Sequence, residues 1–200
     1  TACVSVHGGN RLGANSLLET VVFGKRAGEA ATQFAMDIGA SAGNVSDSHF
    51  IEAESRLKQL FDRAESKDDR VAKIRLEMGQ IMNEHMAVFR TEDGMQTALA
   101  KIRELKDRYS RVPVPHKGRV YNTDLIFHFE LGFMLDSSEA ICAAGLVRKE
   151  SRGAHCRRDI PDRNDQDWMV HTTTVKDSDS PKVGTLPVTM TRWEPMARTY

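Results

Sequence analysis

Apolar residues recur three or four positions apart along most of this chain, which is the spacing of an amphipathic helix. The first such run begins at Leu17 and ends at Ile38, directly before Gly39. Ser16 and Glu19 have the S-x-x-E spacing of a capping box at its start. We therefore predict that the first helix starts at Ser16, with the Ser16 side chain as its N-cap.

Four further runs with helical spacing follow the first. Their apolar positions are Phe50, Leu57, Leu60 and Phe61; Val71, Ile74, Met78, Ile81, Met82 and Phe89; Met95, Leu99, Ile102, Leu105 and Tyr109; and, from about Thr123 to Arg148, Leu125, Phe129, Leu131, Leu135, Ile141 and Leu146. The segment "RVPVPHKGR" separates the last two runs, and its prolines and glycine exclude a continuous helix there. Helices with one apolar stripe each usually bury those stripes against one another, so we expect a helical bundle.

Alternating apolar and polar residues, which are typical of strands, occur only near the two ends of the chain. Ala2 to His7 predicts a short strand that enters a turn at Gly8 and Gly9. The segments "WMVHTTTV" and "TLPVTMT" predict two short strands that are separated by an Asp/Ser/Pro/Gly turn region. The predicted fold class is therefore mainly α with a small β tail.

The composition of the chain changes at two places. Residues 40–48, "ASAGNVSDS", form a Gly/Ser/Asn/Asp linker, and past Glu150 the segment "SRGAHCRRDIPDRNDQD" is rich in charges of both signs and has no apolar period. We therefore expect three parts, residues 1–45, 46–150 and 151–200. The first residue is not Met, and the chain opens inside a strand-like run, so we expect it to be a piece of a longer polypeptide.

The charge balance and the cysteines exclude several function classes. Lys+Arg and Asp+Glu both number 28, so the chain has no net field that would attract nucleic acid, and we expect no nucleic-acid partner. Its three cysteines are odd in number and lack a CxxC pair, which indicates a reducing compartment and no bound metal. No apolar stretch approaches the roughly 20 residues that cross a bilayer.

The segment "HGGNRLGANSLLET", residues 7–20, places an arginine in a glycine-rich loop directly before a helix. The first amides of a helix lack internal partners and attract anions. Arg11 could hold a carboxylate through two parallel hydrogen bonds, while the small Gly13 and Ala14 would let a flat ligand approach the backbone. An arginine in such a loop can equally be a surface or ion-pair residue, and these residues alone leave both readings open.

Two segments carry a family resemblance. They resemble the flavoprotein subunit of succinate dehydrogenase and fumarate reductase, and they read "ACVSVHGGNRLGANSLLETVVFGKRAG" and "VRKESRGAHCRRDIPDRNDQDWMVHT". Three shorter segments are similar to the same family: "AKIRLEMG", "VFRTEDGM" and "YNTDLIFHFELG". The resemblance covers nearly the whole chain and implies the C-terminal third of such a subunit. It implies that residues 1–45 end an FAD-binding domain, that residues 46–150 form a helical bundle, and that residues 151–200 form an irregular charged segment with a small antiparallel β tail.

The resemblance also implies the roles of individual residues. Arg11 would bind a substrate carboxylate, and Ser16 and Leu17 would contact the flavin ring, with Ala14 and Asn15 beside them. The family's catalytic residues would all lie before Thr1, so no catalytic residue is expected in this chain. By itself the chain is expected neither to hold FAD tightly nor to turn over substrate.

For the intact protein, the resemblance implies FAD-dependent interconversion of succinate and fumarate. Electrons would pass to an iron–sulfur subunit and then to quinone at membrane anchor subunits. The subunit would be peripheral, on the cytoplasmic face of a bacterial or archaeal inner membrane or on the matrix side of a mitochondrial one. Two alternatives stay open: an L-aspartate oxidase, which shares the fold, and a non-catalytic helical module that serves assembly.

The segment "RKESRGAHCRR", residues 148–158, is the remaining cluster of charge. It could be a phosphate or nucleic-acid patch, but the acidic residues that follow it nearly balance its charge. We favour a network of ion pairs that docks the bundle onto the flavin domain. The pairs Cys3/His7 and His155/Cys156 share no framework that could hold a metal, so no metal site is predicted.

Overall fold

A computed structural model describes residues 7, 9, 11–39, 46–64, 69–178, 180–192 and 196. The predicted strand at Ala2 to His7 therefore lies almost wholly outside the described residues. The chain divides into two compact units, residues 1–63 and 64–200. The described residues confirm the predicted fold class, which is mainly α with a small antiparallel sheet.

The first unit contains helix α1 (Asn15–Ile38) and helix α2 (Asp47–Asp62). The predicted capping box is wrong, because α1 begins at Asn15 and its N-cap is Ala14, whose side chain cannot accept a hydrogen bond. Ala14 has a left-handed backbone with φ of 65°, and the Asn15 amide donates to the Leu12 carbonyl at 3.3 Å. This tight turn starts the helix before Ser16, so the Ser16 side chain has no capping role.

The second unit is built on three helices, α3 (Val71–His85), α4 (Glu92–Tyr109) and α5 (Thr123–Val147). These helices confirm a helical bundle, since each packs against the other two. Helix α2, whose apolar run was expected to join the bundle, belongs to the first unit. Their shared core consists of Ile74, Met78, Ile102, Leu105, Val112, Leu131 and Leu135. A second buried cluster contains Met86, Met95, Ala98 and Cys142.

Short polar side chains start α4 and α5. The Thr91 hydroxyl accepts a hydrogen bond from the Gly94 amide at 3.2 Å, and the Asn122 carbonyl oxygen accepts one from the Leu125 amide at 3.0 Å. Such bonds satisfy amides that have no partner inside the helix. Asn122 Nδ2 also donates to the His116 carbonyl at 2.7 Å. It thereby ties the proline-containing loop, which is not helical, to the start of α5.

Several apolar residues do not occupy the positions that their spacing predicts, among them Phe50 of α2, which is exposed. Phe89 was expected on the same helix as Val71, but α3 ends at His85 and Phe89 lies in a short strand. Phe129 and Ile141 were expected to be buried, and both are exposed on α5. Because α5 is apolar on nearly every side, periodicity alone could not show which side faces the bundle.

The strands are short. β1 (Phe89–Arg90) pairs in parallel with β2 (Cys156–Arg157), and a one-turn helix α6 (Asp165–Trp168) follows. β3 (Val170–Val175) pairs antiparallel with β4 (Lys182–Pro187), with Val170 opposite Pro187. β3 confirms the first predicted tail strand, but β4 begins and ends earlier than predicted. Gly184 interrupts the apolar alternation of β4, and Pro187 ends the strand because it has no N–H to donate.

Candidate functional site

The glycine-rich loop is fastened to α1 through one carboxylate. Glu19, in the second turn of α1, places its Oε2 atom 2.6 Å from His7 Nε2. The same oxygen accepts a longer hydrogen bond of 3.4 Å from Arg11 Nη1. The side chains of His7 and Glu19 are each 20% exposed, whereas that of Arg11 is 50% exposed. The loop is therefore held chiefly by His7, and half of the Arg11 side chain is exposed.

Electrostatics keep Glu19 ionised. The hydrogen bond from His7, more than that from Arg11, holds the pKa of the Glu19 carboxyl below its usual range, although partial desolvation opposes this shift. A carboxylate at this position is thus negative at neutral pH. It partly balances the positive charge that Arg11 brings to the start of the helix.

The first turn of α1 has an amide available to a ligand. The Leu17 and Leu18 amides both donate to the Ala14 carbonyl, at 3.1 and 3.3 Å. Within the part of the chain that the structure describes, the Ser16 amide has no acceptor. The Leu17 side chain beside it is 75% exposed. A free N–H next to an open apolar side chain suits a flat ligand with a polar edge.

The structure thus joins part of the predicted site and adds two residues to it. Arg11 is linked through Glu19 to the helix whose first turn holds Asn15, Ser16 and Leu17. Sequence reasoning did not assign His7 a role and placed Glu19 in a capping box. The available signal was a histidine and a glutamate on either side of the arginine, which can meet once the loop turns back.

The charged segment after α5 forms a second polar cluster, centred on Glu150. This carboxylate is fully buried and accepts hydrogen bonds from Arg148 Nη1, from Arg152 Nε at 2.7 Å and Nη2 at 3.0 Å, and from the Asn164 amide at 2.9 Å. Arg152 also donates to Asp165 at 2.6 Å. The predicted network of ion pairs is present.

A buried arginine attaches the same segment to the bundle. Arg157 is completely buried and donates to both oxygens of Asp159, at 2.7 and 2.6 Å. It also donates to Glu92 in the first turn of α4 at 3.0 Å. The Glu92 amide in turn donates to Asp159 at 2.9 Å. The segment is therefore fastened to the N-terminal end of α4, and these groups satisfy one another.

His155 lies between two arginines of this cluster. Its Nδ1 atom is 2.9 Å from Arg90 Nη1, and its Nε2 atom is 3.4 Å from the Arg148 carbonyl. Burial, reinforced by the charge of Arg90, lowers the pKa of the imidazole. His155 is thus neutral at pH 7, with Nδ1 accepting from Arg90 and Nε2–H donating to the carbonyl. It completes a structural network.

Other types of site were sought across the described residues. They contain no group of three or more His, Cys, Asp or Glu side chains that could hold a metal ion. Of the helices described, none combines the length and the apolar character that a membrane span requires. Cys142 and Cys156 are free thiols, and burial raises the pKa of the Cys142 thiol to about 11.

Comparison with known proteins agrees with this geometry. Residues 75–200 match the family model described as fumarate reductase flavoprotein C-term. The chain is 40% identical over 204 residues to the fumarate reductase flavoprotein subunit of Mycobacterium tuberculosis, covering 100% of this chain and 35% of the relative. It is 37% identical to the succinate dehydrogenase flavoprotein subunit of Rickettsia conorii, covering 95% of this chain and 32% of the relative.

Solved structures show the same likeness. A chain of the Escherichia coli quinol fumarate reductase matches with a TM-score of 0.85 and 38% identity, over 94% of this chain and 32% of that one. The Mycobacterium smegmatis Sdh1 complex matches with a TM-score of 0.77 and 30% identity, over 90% of this chain and 30% of that one.

The fold, together with the family match over residues 75–200, defines the C-terminal region of a flavoprotein subunit. The chain belongs to the fumarate reductase and succinate dehydrogenase flavoprotein family. It spans about a third of the length of the relatives that it matches.

Proposed function

We propose that this chain is the C-terminal part of an FAD-dependent subunit that interconverts succinate and fumarate. The observation that carries the proposal is the state of Arg11. Its side chain is half-exposed, and among the described residues it makes one hydrogen bond, of 3.4 Å, to Glu19 of α1. In this proposal the first amides of α1 face the ligand site. Membership of the flavoprotein family supports the reaction class.

Arg11 binds one carboxylate of the substrate in this proposal. A planar guanidinium presents parallel N–H groups that match the two oxygens of a carboxylate, and it keeps its charge at every working pH. Since Arg11 donates to Glu19 through Nη1 alone, its remaining N–H groups can turn to a dicarboxylate. Arg11 therefore holds and orients the substrate and transfers no proton itself.

The start of α1 fits the polar edge of a flavin. Ser16 and Leu17 contact the ring, with Ala14 and Asn15 beside them, and the free Ser16 amide and open Leu17 side chain are the features that suit it. FAD, when bound, supplies the acceptor for the hydride that leaves succinate. The helix start favours negative charge nearby, so this turn stabilises an electron-rich flavin edge without reorganisation.

The rest of the assembly follows from the same proposal. Residues 1–45 end the FAD-binding domain, residues 46–150 contain the bundle of α3, α4 and α5, and residues 151–200 form the charged segment and β tail. The subunit passes electrons to an iron–sulfur subunit, and membrane anchor subunits hold the complex at the cytoplasmic face of the membrane. The similar structures described as quinol fumarate reductase and as an Sdh1 complex support such an assembly.

The two alternatives carry less support. The relatives that match over nearly the whole chain are named as fumarate reductase or succinate dehydrogenase subunits, which disfavours an L-aspartate oxidase. A non-catalytic assembly module would need no open arginine beside a free helix amide. The 200-residue chain in isolation still fits the description of a non-catalytic module. We propose that it is inactive by itself, because the remaining residues of the site lie outside it.

The test is substitution of Arg11 in the full-length, FAD-loaded subunit. Arg11→Ala should lower kcat/KM for succinate oxidation at least about 30-fold, since removing one partner of a charged hydrogen-bonded pair costs roughly 2–5 kcal/mol. Arg26→Ala, which changes an exposed arginine of α1, is the control and should leave kcat/KM unchanged. Normal kinetics for Arg11→Ala would refute the assignment.

A further inference from the structure

The acid that holds the arginine loop is a candidate for a role of its own. Glu19 does not cap α1, because the N-cap is Ala14 and the helix begins four residues before Glu19. Its Oε2 atom instead contacts two residues of the loop, His7 at 2.6 Å and Arg11 at 3.4 Å. Among the described residues, the hydrogen bonds of this carboxylate go to the loop, and no pairing within the helix accounts for it.

The two contacts differ in strength in a way that matters for Arg11. The His7 bond is short and its groups are largely shielded, so it fixes the position of the loop. The Arg11 bond is long and uses only Nη1, so it orients the guanidinium and leaves its other N–H groups available. A carboxylate that bound Arg11 through two parallel hydrogen bonds would compete with a substrate carboxylate for the same N–H groups.

We propose that Glu19 is the positioning residue for Arg11, fixing the loop through His7 and aiming the open side of the guanidinium at the dicarboxylate substrate. This inference rests on the proposed role of Arg11. The gain is pre-organisation, because a loop that is already fixed loses less conformational freedom when substrate binds. Glu19 acts through Arg11 and does not touch substrate or flavin.

The experiment measures binding apart from turnover. The probe is malonate, a dicarboxylate that has no adjacent pair of CH₂ groups to oxidise, titrated into the full-length FAD-loaded subunit while the flavin absorbance is recorded. Glu19→Gln, which keeps the side-chain shape and removes the charge, should raise the malonate Kd about tenfold. Glu29→Gln is the matched control, since Glu29 lies on the same helix in an exposed pair with Lys25, and it should leave the Kd unchanged.

A double-mutant cycle separates positioning from a general structural role. If Glu19 acts through Arg11, adding Glu19→Gln to Arg11→Ala should cause no further loss of malonate affinity. Additive losses would overturn the proposal, as would an unchanged Kd in Glu19→Gln. If Glu19→Gln does not fold, His7→Gln removes the same anchor from the other side and should show the same coupling to Arg11.

The cycle also distinguishes this inference from the proposed function. An unchanged malonate Kd in Arg11→Ala would refute the substrate role of Arg11 and the role of Glu19 with it. A large loss in Arg11→Ala together with no loss in Glu19→Gln would refute the positioning role alone. The melting temperature of each variant, measured alongside, checks that the flavin-loaded fold is intact.

Discussion

Glu150 and Arg152 form a buried ion pair in which two guanidinium nitrogens, Nε and Nη2, donate to the carboxylate at 2.7 and 3.0 Å. The two residues are separated by only one position in the chain. Arg148 Nη1 donates to the same carboxylate, at the oxygen that also accepts from Arg152 Nε. One buried acid therefore balances two arginines and holds the turn that follows α5.

Removing the Glu150 charge should destabilise the second unit strongly. Glu150→Gln leaves Arg148 and Arg152 without their shared counterion, and breaking one side of a buried pair costs about 3–5 kcal/mol. Urea unfolding should show this loss as a lower midpoint. Asp107→Asn is the control, because Asp107 pairs with Arg111 at an exposed site, and it should cost about 1 kcal/mol or less. Equal losses in the two variants would contradict the prediction.

The stability of the protein should depend on the ionisation of Asp159. The hydrogen bonds from Arg157 hold the pKa of the Asp159 carboxyl well below its usual range in the folded state. The unfolded state therefore binds a proton first, so the stabilisation is complete at neutral pH and is lost as the pH falls below about 4. The difference between the urea midpoints of wild type and Asp159→Asn should be constant from pH 7 to about pH 5 and should shrink progressively as the pH falls below about 4. A difference that stays constant below about pH 4 would contradict this account.

Two helical glycines should respond in opposite ways to alanine. A Cβ atom at Gly132 of α5 would lie 2.7 Å from Tyr109 Oη, which donates to the His128 carbonyl at 3.0 Å. Gly132→Ala should displace this ring and cost about 1–3 kcal/mol in the free energy of unfolding.

Gly79 of α3 is the matched site, since no atom of the described structure lies within 4 Å of a Cβ there. Gly79→Ala should stabilise the helix by about 0.5–1 kcal/mol, because alanine loses less backbone freedom on folding. Thermal unfolding of both variants would show shifts of opposite sign. A stabilising Gly132→Ala would mean that Tyr109 can move at little cost.

Cys142 should resist alkylation while the protein is folded. Its side chain is completely buried, and burial raises the pKa of its thiol to about 11, so little reactive thiolate exists at pH 8. Iodoacetamide followed by mass spectrometry should find the Cys142 peptide unmodified in buffer and modified in urea. Rapid labelling in buffer would show that the cluster around Met86 and Met95 opens readily.

Periodicity predicted the bundle because each helix has one apolar stripe that only neighbouring helices can bury. The limits of α4 and α5 could be foreseen from Thr91 and Asn122, short polar residues before a helical run, and from the prolines between the two helices. Interactions between neighbouring residues determine where these helices begin and end, so the sequence is sufficient to predict their limits. β4 was misplaced because a glycine interrupts its alternation.

The partners within the charged cluster could not be predicted from neighbouring residues. The density of arginine and acid after residue 147 predicted an ion-pair network, but not that Arg157 would be buried against Glu92, which lies 65 positions earlier. Many pairings satisfy the same charge balance. Only the packing of the segment against α4 selects one, because burial makes an unpaired charge costly.

The amino-acid sequence by itself determined the helices, their apolar stripes, the arginine loop and the family to which the chain belongs, since these depend on neighbouring residues and on motif identity. The tertiary structure decided that α1 begins at Asn15 and that Glu19 holds His7 and Arg11 instead of capping the helix. It also decided which side of α5 is buried. The start of α1 depends on the left-handed backbone of Ala14, and the contacts of Glu19 depend on the loop turning back onto the helix. The buried side of α5 depends on packing against α3 and α4. Periodicity contains none of these energies.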